Sequence, residues 1–299
     1  MVVGLVGCGR WGRHILRDLV SLGCEVPVVA RSDASRARAE EGGASAIVAR
    51  IDELPALDGV VVATTTSTHA AVVDEVLERG APVFCEKPLT NDAVAAARLA
   101  TSAPNRLFVM DKWRYHPGVL ELAAIARERR LGDIFGITTT RLGWGNPHDD
   151  VDSVWVLAPH DLSIALEVLG ALPRPSAAVA SGDSGGLVGM SAFLRGQGWW
   201  HALDVSARAP ERSRRVELHC AEGLAVLAGA WDNHVTVFRG EGADPEPERI
   251  ETPGELPLLA QLRAFVAHLC GGPPPRSSAA EGAAIVAALA ELRHLAESG

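Results

Sequence analysis

The run Val3-Gly4-Leu5-Val6-Gly7-Cys8-Gly9-Arg10-Trp11-Gly12-Arg13-His14 constrains this chain more than any other stretch of it. An apolar strand leads directly into three glycines at G-x-G-x-x-G spacing, and Ile15, Leu16, Leu19 and Val20 then follow a helical period. Gly7 permits the tight turn, Gly9 lets backbone approach a pyrophosphate, and Gly12 allows a helix to pack closely on a strand. The amino end of that helix presents N–H groups and the positive end of its dipole to an anion. A dinucleotide cradle is therefore expected here, with Arg10 and Trp11 among its contacts.

Up to residue 110, short β-branched runs (2–6, 26–30, 46–48, 60–63, 83–85 and 107–110) alternate with helical stretches (13–22, 34–41, 70–79 and 92–101). Such alternation implies a parallel sheet covered on both faces. After Pro117 the character changes. A helix over 119–130 and a glycine-ended strand in GDIFGITTTRLGWG lead to a helix ending near Gly170. Strand-like runs then crowd 187–194, 199–207, 215–220, 224–227 and 234–238, while 240–257 is rich in proline and acid and is expected to be loop. Two helices, 258–269 and 279–296, close the chain. The expected fold is α/β: a doubly wound Rossmann domain over 1–114, then an α+β domain over 115–299 with an open, largely antiparallel sheet.

With 299 residues, 47% of them hydrophobic, the chain has enough apolar material for two cores. Its longest apolar runs, 59–63 and 283–289, fall short of the roughly 18 to 20 residues a bilayer span needs, so no membrane partner is expected. Met1 runs into a strand without a basic region or cleavage site, and a cytoplasmic protein is expected. A net charge of −9 speaks against nucleic acid as a partner. The cysteines Cys8, Cys24, Cys85, Cys220 and Cys270 have no paired spacing and are expected to be buried free thiols. His148, Asp149, Asp150 and Asp152 fit no metal-ligand spacing, so they are expected to form a solvated loop and no metal is assigned.

Nicotinamide preference is set at the end of the second strand, where an acidic residue bonds the ribose hydroxyl of NAD. Here that place, in VVARSDASRARA, holds Arg31 and Ser32, with Arg36 a turn further on. A guanidinium pairs bidentately with a 2′-phosphate, so NADP(H) is expected. NAD is the alternative, should Asp33 occupy the strand end.

The segment VVVATTTSTHAAVVDEVLERGAPVFCEKPLT, followed by DKWRYHPGV, LGDIFGI and WVLAPHDLSIALEVLG, closely resembles the Gfo/Idh/MocA family of glucose-fructose oxidoreductase and inositol dehydrogenase relatives, in the family's order and up to about residue 170. The resemblance implies that Gly7, Gly9 and Gly12 hold the pyrophosphate and that Thr64, Thr65 and His69 line the cofactor groove. It places Glu86 and Lys87 beside the nicotinamide ribose, with Pro88 fixing the turn, often through a cis bond. Arg114 falls in the family's Arg-aromatic-x-Pro segment and is grouped with the cofactor contacts, although it could equally meet an anionic substrate group or a carboxylate. Lys87 and His160 are implied as the catalytic pair. Hydride reaching a carbonyl carbon builds negative charge on its oxygen, so a cation and a proton donor must stand within hydrogen-bond reach.

Dehydrogenating members carry an aspartate four residues before that histidine; this chain has Val156 there, and the adjacent Asp161 points to another side of the helix. Another carboxylate from the 149–152 loop would have to approach, or Lys87 would carry proton transfer alone. Three functions are consistent with these residues. The first is an NADP(H)-dependent oxidoreductase acting on a carbonyl or hydroxyl of a sugar, nucleotide-sugar or cyclitol. The second is an NADPH-dependent imine reductase, and the third a nucleotide-binding family member without catalysis. The tryptophans Trp144, Trp155, Trp199, Trp200 and Trp231 suit either a cleft wall or sheet packing. Tyr115 is the only tyrosine, which excludes a tyrosine acid from the second sheet. The resemblance implies a homodimer or homotetramer formed through that sheet, with the strand at Trp199–Trp200 as the candidate face.

Overall fold

The computed structural model describes residues 1–240 and 246–298. It divides into two compact units, one of Met1–Lys112 with Leu256–Val286, the other of Trp113–Glu255 with Ala287–Gly299.

In the first unit β1 (Val3–Val6), β2 (Pro27–Val29), β3 (Ala46–Val48), β4 (Gly59–Val62), β5 (Val83–Glu86) and β6 (Leu107–Met110) form a parallel sheet in the order β3-β2-β1-β4-β5-β6. Every residue of β1, β2, β4, β5 and β6 is buried, which is why these strands read as unbroken apolar runs. The helices α1 (Gly12–Ser21), α2 (Asp33–Glu41), α3 (His69–Glu78) and α4 (Ala93–Ser102) follow β1, β2, β4 and β5 respectively. The strand order reverses between β1 and β4, and in open α/β sheets a ligand binds at the carboxyl ends of the strands beside such a switch point.

The first unit also includes α7 (Pro257–Leu269), which the sequence assigns to the second domain. Leu258, Leu262 and Phe265 form one buried stripe that joins Leu16 and Leu19 of α1 in the core, and the Phe265 ring lies 4.9 Å from Phe84. An amphipathic stripe shows in sequence that a helix is covered but not which sheet covers it.

The second unit is built on eight strands: β7 (Ile134–Trp144), β8 (Arg174–Asp183), β9 (Gly186–Arg195), β10 (Trp200–Ser206), β11 (Arg208–Cys220), β12 (Gly223–Leu227), β13 (His234–Arg239) and β14 (Pro247–Glu251). Their order is β14-β13-β12-β11-β7-β10-β9-β8, antiparallel throughout except for the parallel pair β7–β10. Residues of α5 (Pro117–Arg127) and α6 (Ser153–Leu169) pack on one face, where Leu122, Ile125, Ile164 and Ala165 join Ile137, Val216 and Leu218. On the other face Trp200 stacks on Phe193 (5.9 Å), meets the His219 ring at a tilt (5.1 Å) and covers Gly136, where an added Cβ would fall on its ring. Trp144 and Trp231 are exposed and Trp155 is buried. The final helix is α8 (Ala279–Ser298).

Two strands are absent from the sequence expectation. β8 is built of small residues and lacks the β-branched run that marks a strand. β14 is a charged edge strand inside the expected 240–257 loop; among the described residues it pairs with β13 alone, and charge is what keeps such an edge from recruiting another chain. Residues 241–245 of that loop lie outside the described residues. Of the five thiols Cys270 is exposed, contrary to expectation, because it caps the carboxyl end of α7; the other four are buried. No helix among the described residues is long and apolar enough to cross a membrane.

Candidate active site

The carboxyl ends of β1, β4 and β5 are neighbours in the first sheet, and they carry the glycine loop, Thr64–Thr65 and Glu86-Lys87-Pro88 respectively. Gly7 has a φ of +97°, and a Cβ there would meet the Ala63 carbonyl oxygen at 2.7 Å. A Cβ on Gly12 would overlap the Gly7 carbonyl oxygen. Gly9 behaves differently, since no atom lies within 4 Å of where its Cβ would stand. Gly7 thus lets the loop lie against the end of β4 and Gly12 closes the turn on itself, while Gly9 leaves open the space that a pyrophosphate must enter. No side chain caps the amino end of α1, and its first turn holds no acidic residue. These residues fit a dinucleotide.

Trp11 ties this loop to the β5 end. Its indole Nε1 donates to Glu86 Oε1 at 2.6 Å, while Lys112 Nζ lies 4.3 Å over its ring. The second carboxylate oxygen, Glu86 Oε2, accepts the backbone N–H of Lys87 at 3.1 Å. Burial pushes the Glu86 carboxyl up, against the pull of Lys87, the Trp11 N–H and Lys112. The Lys87–Pro88 peptide is cis, and the Pro88 carbonyl lies 2.9 Å from His69 Nδ1. His69 Nε2 lies 3.2 Å from the Thr64 carbonyl oxygen. At 1% exposure His69 spans the β4 and β5 ends from beneath, so its part in the groove is to hold backbone. Thr68 Oγ1 donates to Thr64 Oγ1 at 2.9 Å and fixes that hydroxyl. Lys87 is half-buried in the turn these contacts hold.

β2 ends at Val29, and Ser32 is the amino cap of α2, its Oγ accepting the Ser35 N–H at 3.2 Å. Asp33 therefore lies in the first turn of the helix, and exposed Arg31 stands in the short link from the strand. Arg36 follows one turn into α2, half-buried.

His160 belongs to the second unit, on α6 directly after Pro159, and is half-buried. The helix starts at Asp152, whose Oδ1 accepts the N–H groups of Val154 (3.1 Å) and Trp155 (3.3 Å) and whose carboxylate pairs with Arg293 at 2.8 Å. Asp152 is thus a cap and an ion-pair partner. Asp161 turns into the core, where it receives Arg141 at 2.6 and 3.2 Å. Arg114 is also matched within this unit, donating to Glu167 at 2.8 Å with both side chains at 9% exposure. That carboxylate belongs to α6.

A parallel Rossmann sheet with this loop and turn defines a nicotinamide-dependent oxidoreductase. Residues 1–110 match the model of the oxidoreductase family with an NAD-binding Rossmann fold, Gfo/Idh/MocA. The chain is 33% identical to the myo-inositol dehydrogenase Hyg17 of Streptomyces leeuwenhoekii over 91% of its own length and 90% of that protein's. Its fold matches the UDP-N-acetylglucosamine 3-dehydrogenase GnnA of Acidithiobacillus ferrooxidans with a TM-score of 0.86 at 23% identity, covering 100% and 98% of the two chains. It also matches KijD10, a 3-ketoreductase from Actinomadura kijaniata solved with TDP-benzene and NADP, with a TM-score of 0.86 at 21% identity over 98% and 96%. The chain belongs to the Gfo/Idh/MocA family of oxidoreductases.

Proposed function

We propose that this chain is an NADP(H)-dependent oxidoreductase acting on a carbonyl or hydroxyl of a cyclitol or nucleotide-sugar, with Lys87 and His160 as its polarising and proton-transfer groups. The observation that carries the proposal is the turn at Lys87, built at the strand ends next to the glycine loop and held by Trp11, Glu86 and His69. The glycine loop would hold the pyrophosphate, and the cofactor supplies or accepts the hydride. The Lys87 ammonium stabilises negative charge on the substrate oxygen, and the His160 imidazole gives or takes that oxygen's proton. With Val156 one turn before His160, no carboxylate at that position orients the ring. The substrate classes rest on what the named relatives act on.

Arg31 supports NADP(H), because it follows β2 while Asp33 is drawn into α2. Fluorescence titration with NADPH and NADH tests this. NADPH is expected to bind more tightly, and Arg31→Ala to weaken NADPH by about tenfold or more while leaving NADH unchanged, as loss of one charge-assisted pair implies. Tighter NADH binding would transfer the 2′ contact to Asp33 and NAD.

The ladder of Phe193, Trp200 and His219 is proposed as the face that pairs with a second copy, in line with the family resemblance. Light scattering is expected to give a dimer or tetramer, and a monomer at micromolar concentration would rule this out.

A further inference from the structure

β11 breaks its pairing with β7 near the amino end of α6. Arg208 opposes Trp144 and Ser213 opposes Leu142, so the four residues 209–212 bulge out against Gly143 alone. Bulges of this kind re-aim the side chains that follow them. Past the bulge, regular alternation sets Arg214 opposite Arg141, on the face that also carries buried Ile137, Thr139, Val216 and Leu218. Like charges directly opposite one another across a ladder are unfavourable. The carboxylate that α6 brings to this place, Asp161, is taken by Arg141 through two hydrogen bonds, and Arg141 also lies 4.6 Å over the Trp113 ring.

Arg214 is half-buried beside this pair. Its Nη1 donates to the carbonyl oxygens of Leu142 and Ser213, the latter at 2.6 Å, and its Nη2 lies near Gly143. Nε and Nη2 have no hydrogen-bond partner among the described residues, and neither is sealed from solvent. No carboxylate among the described residues pairs with this guanidinium. Burial, with Arg141 and Arg212 nearby, pushes it down to about 10, Asp161 pulling the other way. It remains a cation at neutral pH in surroundings with too little negative charge. The Nε–Nη2 edge is the one that meets two oxygens of a carboxylate or phosphate side-on with two parallel hydrogen bonds.

We propose that Arg214 binds an oxyanion of the substrate, a carboxylate or a phosphate, through this open edge, on the sheet face that α6, the helix of His160, covers. The inference deepens the proposed function and rests on its placing of His160 at the substrate. It narrows the proposed cyclitols and nucleotide-sugars to those with an acidic group near the reacting carbon. Calorimetric titration of the full chain, with and without NADPH, would compare D-glucuronate and D-glucose 6-phosphate with D-glucose. At least one acidic sugar is expected to bind about tenfold or more tightly than glucose. The preference should vanish in Arg214→Gln and survive in part in Arg214→Lys. Preference for glucuronate alone would identify a carboxylate, and for the 6-phosphate alone a phosphate.

Equal or absent binding of all three sugars would overturn the proposal. So would a preference that persists in an Arg214→Gln protein with wild-type circular dichroism. Because the readout is binding, an acid preference without turnover would leave this site standing and remove the redox reading. Turnover of neutral sugars without the preference would do the reverse.

Discussion

Lys87→Met is expected to lower turnover by about a thousandfold, within the range of a lost proton-transfer or charge-stabilising group, while NADPH still binds. The expectation follows from how the turn is built. Backbone on both sides of Lys87 is held by groups other than its own side chain: Glu86 Oε2 takes its N–H, Trp11 holds the same carboxylate, and His69 meets the Pro88 carbonyl. Methionine keeps an unbranched apolar stem, so packing along the turn survives and the ammonium is what disappears. The glycine loop does not depend on Lys87 for its shape, since its close approaches are to Ala63 and within the loop itself. Fluorescence titration should therefore give an NADPH affinity close to wild type. The kinetic comparison uses whichever cyclitol or nucleotide-sugar the wild type turns over. Residual kcat within tenfold of wild type would remove Lys87 from the chemistry, and loss of NADPH binding would make it a cofactor contact.

The parts of this molecule that are legible in sequence are those with a local cause. β1, β4, β5 and β6 show as apolar runs because both of their faces are covered. The glycine loop shows because its three glycines fall within six residues between a strand and a helix. Other features have causes that lie far along the chain. The bond from Trp11 to Glu86 joins residues 75 apart, and neither side chain advertises the other. His69 sits five residues from Thr64 as the family pattern requires, yet its burial beneath two strand ends appears only when β4 and β5 are side by side. α7 shows its stripe in the sequence, but the choice of the first sheet depends on Phe84 and Leu16 being there to receive it. Arg214 lies outside the strand-like run that the sequence shows at 215–220, and its place opposite Arg141 depends on the bulge against Gly143.

Asp161→Leu is expected to destabilise the fold by about 3 to 5 kcal/mol, and Arg141→Leu by less, in a manner that depends on pH. The pair is deeply buried, with side chains at 4% and 1% exposure. Removing Asp161 leaves a guanidinium that cannot lose its proton, with Arg214 opposite it on the same face. Removing Arg141 leaves a carboxyl that can escape by taking one up. Burial already pushes the Asp161 carboxyl up even with Arg141 beside it, and loss of that cation pushes it further in the same direction. In Arg141→Leu the folded chain then holds a proton that the unfolded chain has released above about pH 3.9. Stability conferred by that proton is full below the unfolded value and is lost as pH rises to the raised folded value, after which the curve is flat. Urea midpoints should accordingly place Arg141→Leu nearer to wild type at pH 5 than at pH 8, with Asp161→Leu showing no such recovery. Equal losses in the two variants at both pH values would mean that packing, and not the unpaired charge, sets the cost.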